Sequence, residues 1–155
     1  MSSPASSADR STTPIELPPS AVDLIVSGAH AHLVTINPDG SPQCSIVWSD
    51  IQDGEICIPS FKEWQKVRNV RRDPRVVVSY ESTQANPRTG LRYYLVVKGT
   101  ARVTEGGASE LSRILIPRYS EPGKVLPSSS GDPEGFIMRI SPLRMTGNGP
   151  WMKGE

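Results

Sequence analysis

Lys62, Lys66, Arg68, Arg71, Arg72 and Arg75 crowd one short run, SFKEWQKVRNVRRDPRVVVSY, directly ahead of the apolar Val76-Val77-Val78. Ser60 and Glu63 at its start have the S-x-x-E spacing of a capping box, which predicts a helix beginning at Phe61. In that helix Lys66 falls in the second turn and can reach back toward the N-terminus. Unpaired backbone N–H groups and the positive end of the helix dipole favour an anion there. A hydroxyl, amides and an ammonium converging on one group make a phosphate site, each charge-assisted hydrogen bond contributing about 1.5–3 kcal/mol. Two other uses compete for the same charge. One is a nucleic-acid surface; the other is a solvated helix face whose Arg71 and Arg72 complement the dipole at the C-terminal end. Trp64 and Tyr80, the aromatics nearby, suit a core or pocket better than a row of base-stacking platforms.

Other residues offer weaker chemistry. His30 and His32, with Cys44 and Cys57, have the atom types of a zinc site, but ordinary strand residues are the simpler reading. No C-x-x-C, H-E-x-x-H, G-x-S-x-G, P-loop or G-x-G-x-x-G pattern occurs. Cys44 and Cys57 are expected as two buried thiols without a disulfide. Gln43 and Ser45 alternate with Cys44 and Ile46, giving a mildly polar strand face, which fits a solvent-facing edge or a cofactor wall equally. Tyr93 and Tyr94 must face opposite ways, one to the core and one to a ligand. Trp151 follows GNGP and is expected to dock in a pocket or a dimer groove.

The elements that must position these groups are short and mostly extended. The 155 residues suit one domain, and a net charge of +1 makes the basic run a local feature, against a dedicated nucleic-acid module. No apolar run reaches the roughly 18 residues of a membrane span. Residues 1–18 are Ser/Pro-rich, without the apolar core of a secretion signal, and read as a mobile leader before a domain at 19–151 and a tail at 152–155; a cytoplasmic protein is expected. PSAVDLIVSG reads as a helix with Ser20 as cap, Asp23 in its first turn and Gly28 at its end. AHLVTI, PQCSIVWSD and EICIPS read as a three-strand meander joined by NPDGS and IQDGE turns. The basic helix carries Trp64, Val67 and Val70 as a buried stripe and stops at Asp73-Pro74. RVVVSYE and LRYYLVVKGTARVTE are strands about a polar loop. ASELSRILI is a helix with Leu111, Ile114 and Leu115 on one face, ended by Pro117. EGFIMRISPLRMTG is a last strand, bent or at an edge because of Pro142. Six strands with few helices predict a small β-barrel.

The order of TINPDGSPQCSIVW, KVRNVRRDPRV, YYLVVKGTARV and GNGPW resembles the split β-barrel, pyridoxamine-phosphate-oxidase-like flavin proteins, and within them the deazaflavin branch that binds coenzyme F420. The resemblance covers residues 20–151 and implies a mainly β, six-stranded split barrel, a homodimer, and cofactor sites at the dimer interface. It implies Lys66 as the phosphate contact, with Pro59, Ser60, Trp64 and Gln65 at the same turn, and Gln43, Ser45 and Val47 beside the tricyclic ring. Arg68 or Arg72 would meet a longer acidic tail, and Tyr94 and Trp151 would cover the site from the partner subunit. Trp64 stands where relatives often carry an arginine, with Lys62 as the substitute cation. The activity implied is hydride transfer between reduced F420 and an organic acceptor, the cofactor carrying the chemistry without need of a strong acid or base. Separately from the resemblance, Tyr94 or Ser45 is a candidate to donate a proton or polarise the acceptor. FMN in the same fold, or a non-catalytic F420 carrier, are the alternatives.

Overall fold

The computed structural model describes residues 12–124 and 134–152. Alternation and turn chemistry dictate the first strands. β1 (Ala31–Ile36) buries Ala31, Leu33 and Thr35 and pairs antiparallel with β2 (Pro42–Val47). Gly40 closes their hairpin at φ 85°, donating its N–H to Asn37 O at 2.9 Å, while the Asp39 carboxylate accepts from the Ser41 N–H and hydroxyl. β3 (Asp50–Gln52) and β4 (Glu55–Ser60) join through Asp53-Gly54, both at positive φ as a tight two-residue hairpin requires. The helix α2 (Gln65–Arg72) leads into the long strands β5 (Arg75–Ala85), β6 (Arg92–Glu105) and β7 (Phe136–Asn148).

All pairings are antiparallel, in the order β2-β1-β5-β6-β7-β4-β3. Leu33, Ile56, Val78, Tyr80, Leu95, Met138 and Ile140 belong to one core, so strands far apart in the sheet curl round to share it. The helix α1 (Pro19–Ile25) adds Ala21, Leu24 and Ile25 to that core. On the opposite face of the sheet, α3 (Ala108–Tyr119) lays Leu111 and Leu115 over Cys57 and Ile137. Opposite Lys98-Gly99, β7 inserts one extra residue, Leu143, next to Pro142, the bend expected there.

Several local expectations give way to stronger forces. The stretch from Pro42 to Asp50 is not one strand: it breaks at Trp48-Ser49, where the Ser49 N–H goes to the Tyr119 hydroxyl and its side chain to Tyr80. The break makes seven strands where six are expected. The edge strands β2 and β3 do not pair, so the sheet stays open rather than closing into a hydrogen-bonded barrel. Pro18, not Ser20, is the N-cap of α1, with Pro19 preset for the first turn, and Asp23 lies beyond that turn. Pro117 does not end α3, which runs on to Tyr119, and Ile114 faces solvent. The packed chain starts before residue 19: Leu17 is buried and the Ile15 N–H donates to Pro142 O. Residues 1–11 and 153–155, and most of the Pro/Ser/Gly-rich segment near 120–133, lie outside the described residues. No helix among those described is long and apolar enough to cross a membrane.

Candidate functional site

The capping box does not form. Ser60 is the last residue of β4, paired with Phe136, and its buried hydroxyl donates to Lys62 O at 2.6 Å. The sheet ladder holds Ser60 extended, so the helix starts four residues later than expected, with Trp64 as its N-cap and Lys66 in its first turn. Glu63 turns away to Arg71 (3.2 Å). Within the turn the Val67 and Arg68 amides both return to Trp64 O. The Gln65 and Lys66 amides are then the turn's donors without a helical acceptor.

Three side chains pin the loop from Phe61 to Trp64. They are Ser60 through Lys62 O, Arg68 through Glu63 O (2.6 Å), and Arg71 through the Glu63 carboxylate. Arg68 also grips Gln65 Oε1 at 2.7 Å. On this fixed loop Lys62 and Lys66 place their ammonium groups 5.2 and 5.9 Å from the ring centre of Trp64. Trp64 is 50 % exposed, so it is no part of the buried stripe, which Val67 and Val70 supply. Among the described residues neither lysine has a carboxylate within ion-pair distance. Burial pushes the Lys66 ammonium below its ordinary pKa.

A buried amide joins this turn to the first hairpin. Asn69, fully buried, donates to Thr35 Oγ1 (3.0 Å), Asn37 Oδ1 (2.9 Å) and Gln43 Oε1 (3.3 Å). Its own oxygen accepts from Gln65 Nε2 (2.8 Å) and Arg72. Arg72 also donates to Ile36 O. Asn69 was legible as an oddity: a poor helix former between two core valines needs a reason, and the reason is this node.

The structure gathers Lys66, Gln65, Trp64 and, through Asn69, Gln43. Gln43, Ser45 and Val47 share the inward face of β2, but Val47 is in the core. Cys44 lies outward and exposed beside Ile46, so the pair of buried thiols reduces to Cys57, whose burial raises its pKa. Pro59 sits beside Ser60 in β4, opposite Ile137. Arg68 and Arg72, both exposed, hydrogen-bond within their own chain to Glu63 O, Gln65, Asn69 and Ile36 O. Tyr94 is 48 % exposed on β6, while Trp151 is buried in its own chain's core and donates to Tyr94 O at 3.2 Å. Trp151 therefore packs into its own chain, as a prop behind Tyr94. His30 stacks on Tyr119, and no metal-holding cluster occurs among the described residues.

No curated protein sequence is significantly similar to the chain. Solved structures are similar in fold. An F420 reductase matches with a TM-score of 0.64 at 22 % identity, over 80 % of this chain and 94 % of that one. The conserved hypothetical protein Rv2991 from Mycobacterium tuberculosis gives a TM-score of 0.64 at 25 % identity, over 86 % and 85 %. HupZ of Group A Streptococcus gives 0.61 at 11 % identity, over 89 % and 99 %. A family model described as pyridoxamine 5'-phosphate oxidase matches residues 19–148, from the first helix through the last strand, and the chain belongs to that family.

Proposed function

We propose that this protein is an F420-dependent oxidoreductase, moving a hydride between reduced deazaflavin and an organic acceptor at the interface of a homodimer. One observation carries the reading: Lys66 is half-buried, short of its ordinary pKa, and without a carboxylate partner among the described residues, in a helix turn with two amide donors to spare. A buried cation without a counter-ion costs stability, and a phosphate oxygen would offset that cost. The residues therefore fit a phosphate-bearing cofactor. Lys66 with the Gln65 and Lys66 amides would hold the phosphate, Gln43 and Ser45 would flank the ring, and Tyr94 of a second subunit would cover it. Two lysines at one turn suit a cofactor whose phosphate is followed by glutamates better than FMN, whose only anion is its phosphate. The similarity to an F420 reductase supports the same choice.

Bound here, the cofactor supplies the hydride. The chain holds and orients it, keeps water away, and offers the Tyr94 or Ser45 hydroxyl as proton donor. The second subunit has a suitable surface. The outward face of β1, β2, β5 and β6 is aliphatic where a lone antiparallel sheet would be polar: Val34, Ile36, Val77 and Val96 are only half-buried, and Ile46 is 65 % exposed. A groove of about 410 Å3 between Val34, Ile36, Val77, Lys98 and Leu143 runs across it.

Fluorescence titration with F420 and with FMN tests the cofactor. F420 should bind at micromolar concentration or tighter, with Lys66→Ala weakening it about tenfold or more. A preference for FMN would move the function to the flavin enzymes of the family. Oxidation of bound reduced F420 by any member of an acceptor panel separates an enzyme from a carrier. Sedimentation of Ile46→Glu should give a monomer where the wild type gives a dimer.

A further inference from the structure

A cavity between α3 and the strands β3, β6 and β7 shares no residue with the Lys66 turn or with the aliphatic face of β1, β2, β5 and β6. It measures about 340 Å3, room for a small organic molecule rather than a bare ion. Its cation is Arg139. On β7 this residue stands opposite Cys57 of β4 and Arg102 of β6, and the two arginines fare differently. Arg102 has the Glu55 carboxylate at 2.8 Å. Arg139 has only neutral acceptors: its Nε donates to Thr104 Oγ1 (3.2 Å), and its Nη1 to Gln52 Oε1 (3.4 Å) and Cys57 Sγ (3.3 Å). Among the described residues its Nη2 has no acceptor and its charge has no carboxylate in ion-pair reach. Its contacts orient the guanidinium and leave donors for an incoming carboxylate.

The same cavity carries the opposite charge on Glu105 and Glu110, both exposed, and neither has a basic partner in ion-pair reach among the described residues. Leu111, Ile114 and Ile137 add an aliphatic wall, with Ile114 43 % exposed. A simple carboxylate would meet Arg139 but be repelled by two glutamates. A simple amine would meet the glutamates but be repelled by Arg139. Only a molecule bearing both charges answers both walls. We infer that this cavity is a binding site for a free aliphatic α-amino acid. The ligand's carboxylate lies on Arg139, its ammonium toward Glu105 and Glu110, and its side chain against Leu111, Ile114 and Ile137.

The probe is L-leucine, with isocaproate, which lacks the ammonium, and L-leucinamide, which lacks the carboxylate, as controls. In calorimetric titration of the full chain, leucine should bind saturably at about 1 mM or tighter, and each control at least about tenfold more weakly. Arg139→Gln and the double variant Glu105→Gln/Glu110→Gln should each weaken leucine binding about tenfold or more. Arg139 also holds Thr104 and Gln52, so its variant is checked by thermal melting. If that variant does not fold, the glutamate variant, altered only at exposed positions, decides. The methyl signals of Leu111, Ile114 and Ile137 should shift with leucine while those of Val67 and Val70 beside Lys66 stay in place. Failure of leucine, isoleucine, valine and methionine alike to bind saturably overturns the inference. Undiminished binding in the variants, equal affinity for isocaproate, or methyl shifts confined to other residues overturns it as well. F420 plays no part in these titrations, so their outcome is independent of the cofactor reading.

Discussion

The helices α2 and α3 both bring basic side chains to the sheet, and they handle charge in opposite ways. Beneath α3, Arg118 meets the buried Asp50 at 2.7 Å, and on the strands beside it Arg102 meets Glu55 at 2.8 Å. Around α2 the arginines are satisfied by carbonyls, Glu63 and Asp73, but Lys62 and Lys66 face one indole with no acid in ion-pair reach among the described residues. The first arrangement is complete in the folded chain and serves its stability. The second leaves two ammonium groups without an ion-pair partner among the described residues.

Removing a cation should therefore have opposite consequences at the two helices. Arg118→Met strands the Asp50 carboxylate and should cost about 3 kcal/mol, lowering Tm by roughly 6–12 °C in a thermal melt. Asn69→Leu, which removes the Asn69 donor from Thr35, Asn37 and Gln43, should cost about 2 kcal/mol and loosen the first hairpin against α2. Hydrogen exchange would show the loosening as lost protection in β1 and β2. Lys66→Met should act the other way, raising the Tm of the ligand-free protein by about 1–3 °C because a cation is no longer held half-buried. The sign in pH agrees. Burial makes the folded protein hold the Lys66 proton less tightly than the unfolded chain, so between its lowered folded pKa and the ordinary 10.5 the unfolded state binds more protons and stability rises with pH across that window. Lys66→Met should flatten the rise.

Much of this was legible in the residues, and the failures share a cause. The β1 and β4 boundaries, both hairpin turns and the stop at Asp73-Pro74 follow from local chemistry, since Gly40, Gly54 and the proline impose backbone geometry wherever the chain goes. The S-x-x-E pattern misled because Ser60 belongs to the β4–β7 ladder, a pairing across more than seventy residues that outweighs a local cap worth about 1 kcal/mol. Charge was harder still. Lys66 could be picked from the run by position, but which arginines are engaged depends on Ile36 O and Glu63, contacts no spacing rule encodes. Asp73 offers the smallest check. Its hydrogen bonds from Arg75 hold the carboxyl at about 2, so its contribution is present above the ordinary 3.8 and fades only as pH falls toward about 2. An NMR acid titration should show that carboxyl as one of the last to protonate.

The contrast rests finally on one group. Following the Lys66 side chain by NMR through a pH titration, free and with saturating F420, asks directly whether its missing partner is the cofactor's phosphate. A pKa below 10.5 in the free protein that climbs when F420 is added is the predicted result, because an anion beside the ammonium favours the charged form. A value that stays the same with F420 bound would place the cofactor elsewhere and contradict the account.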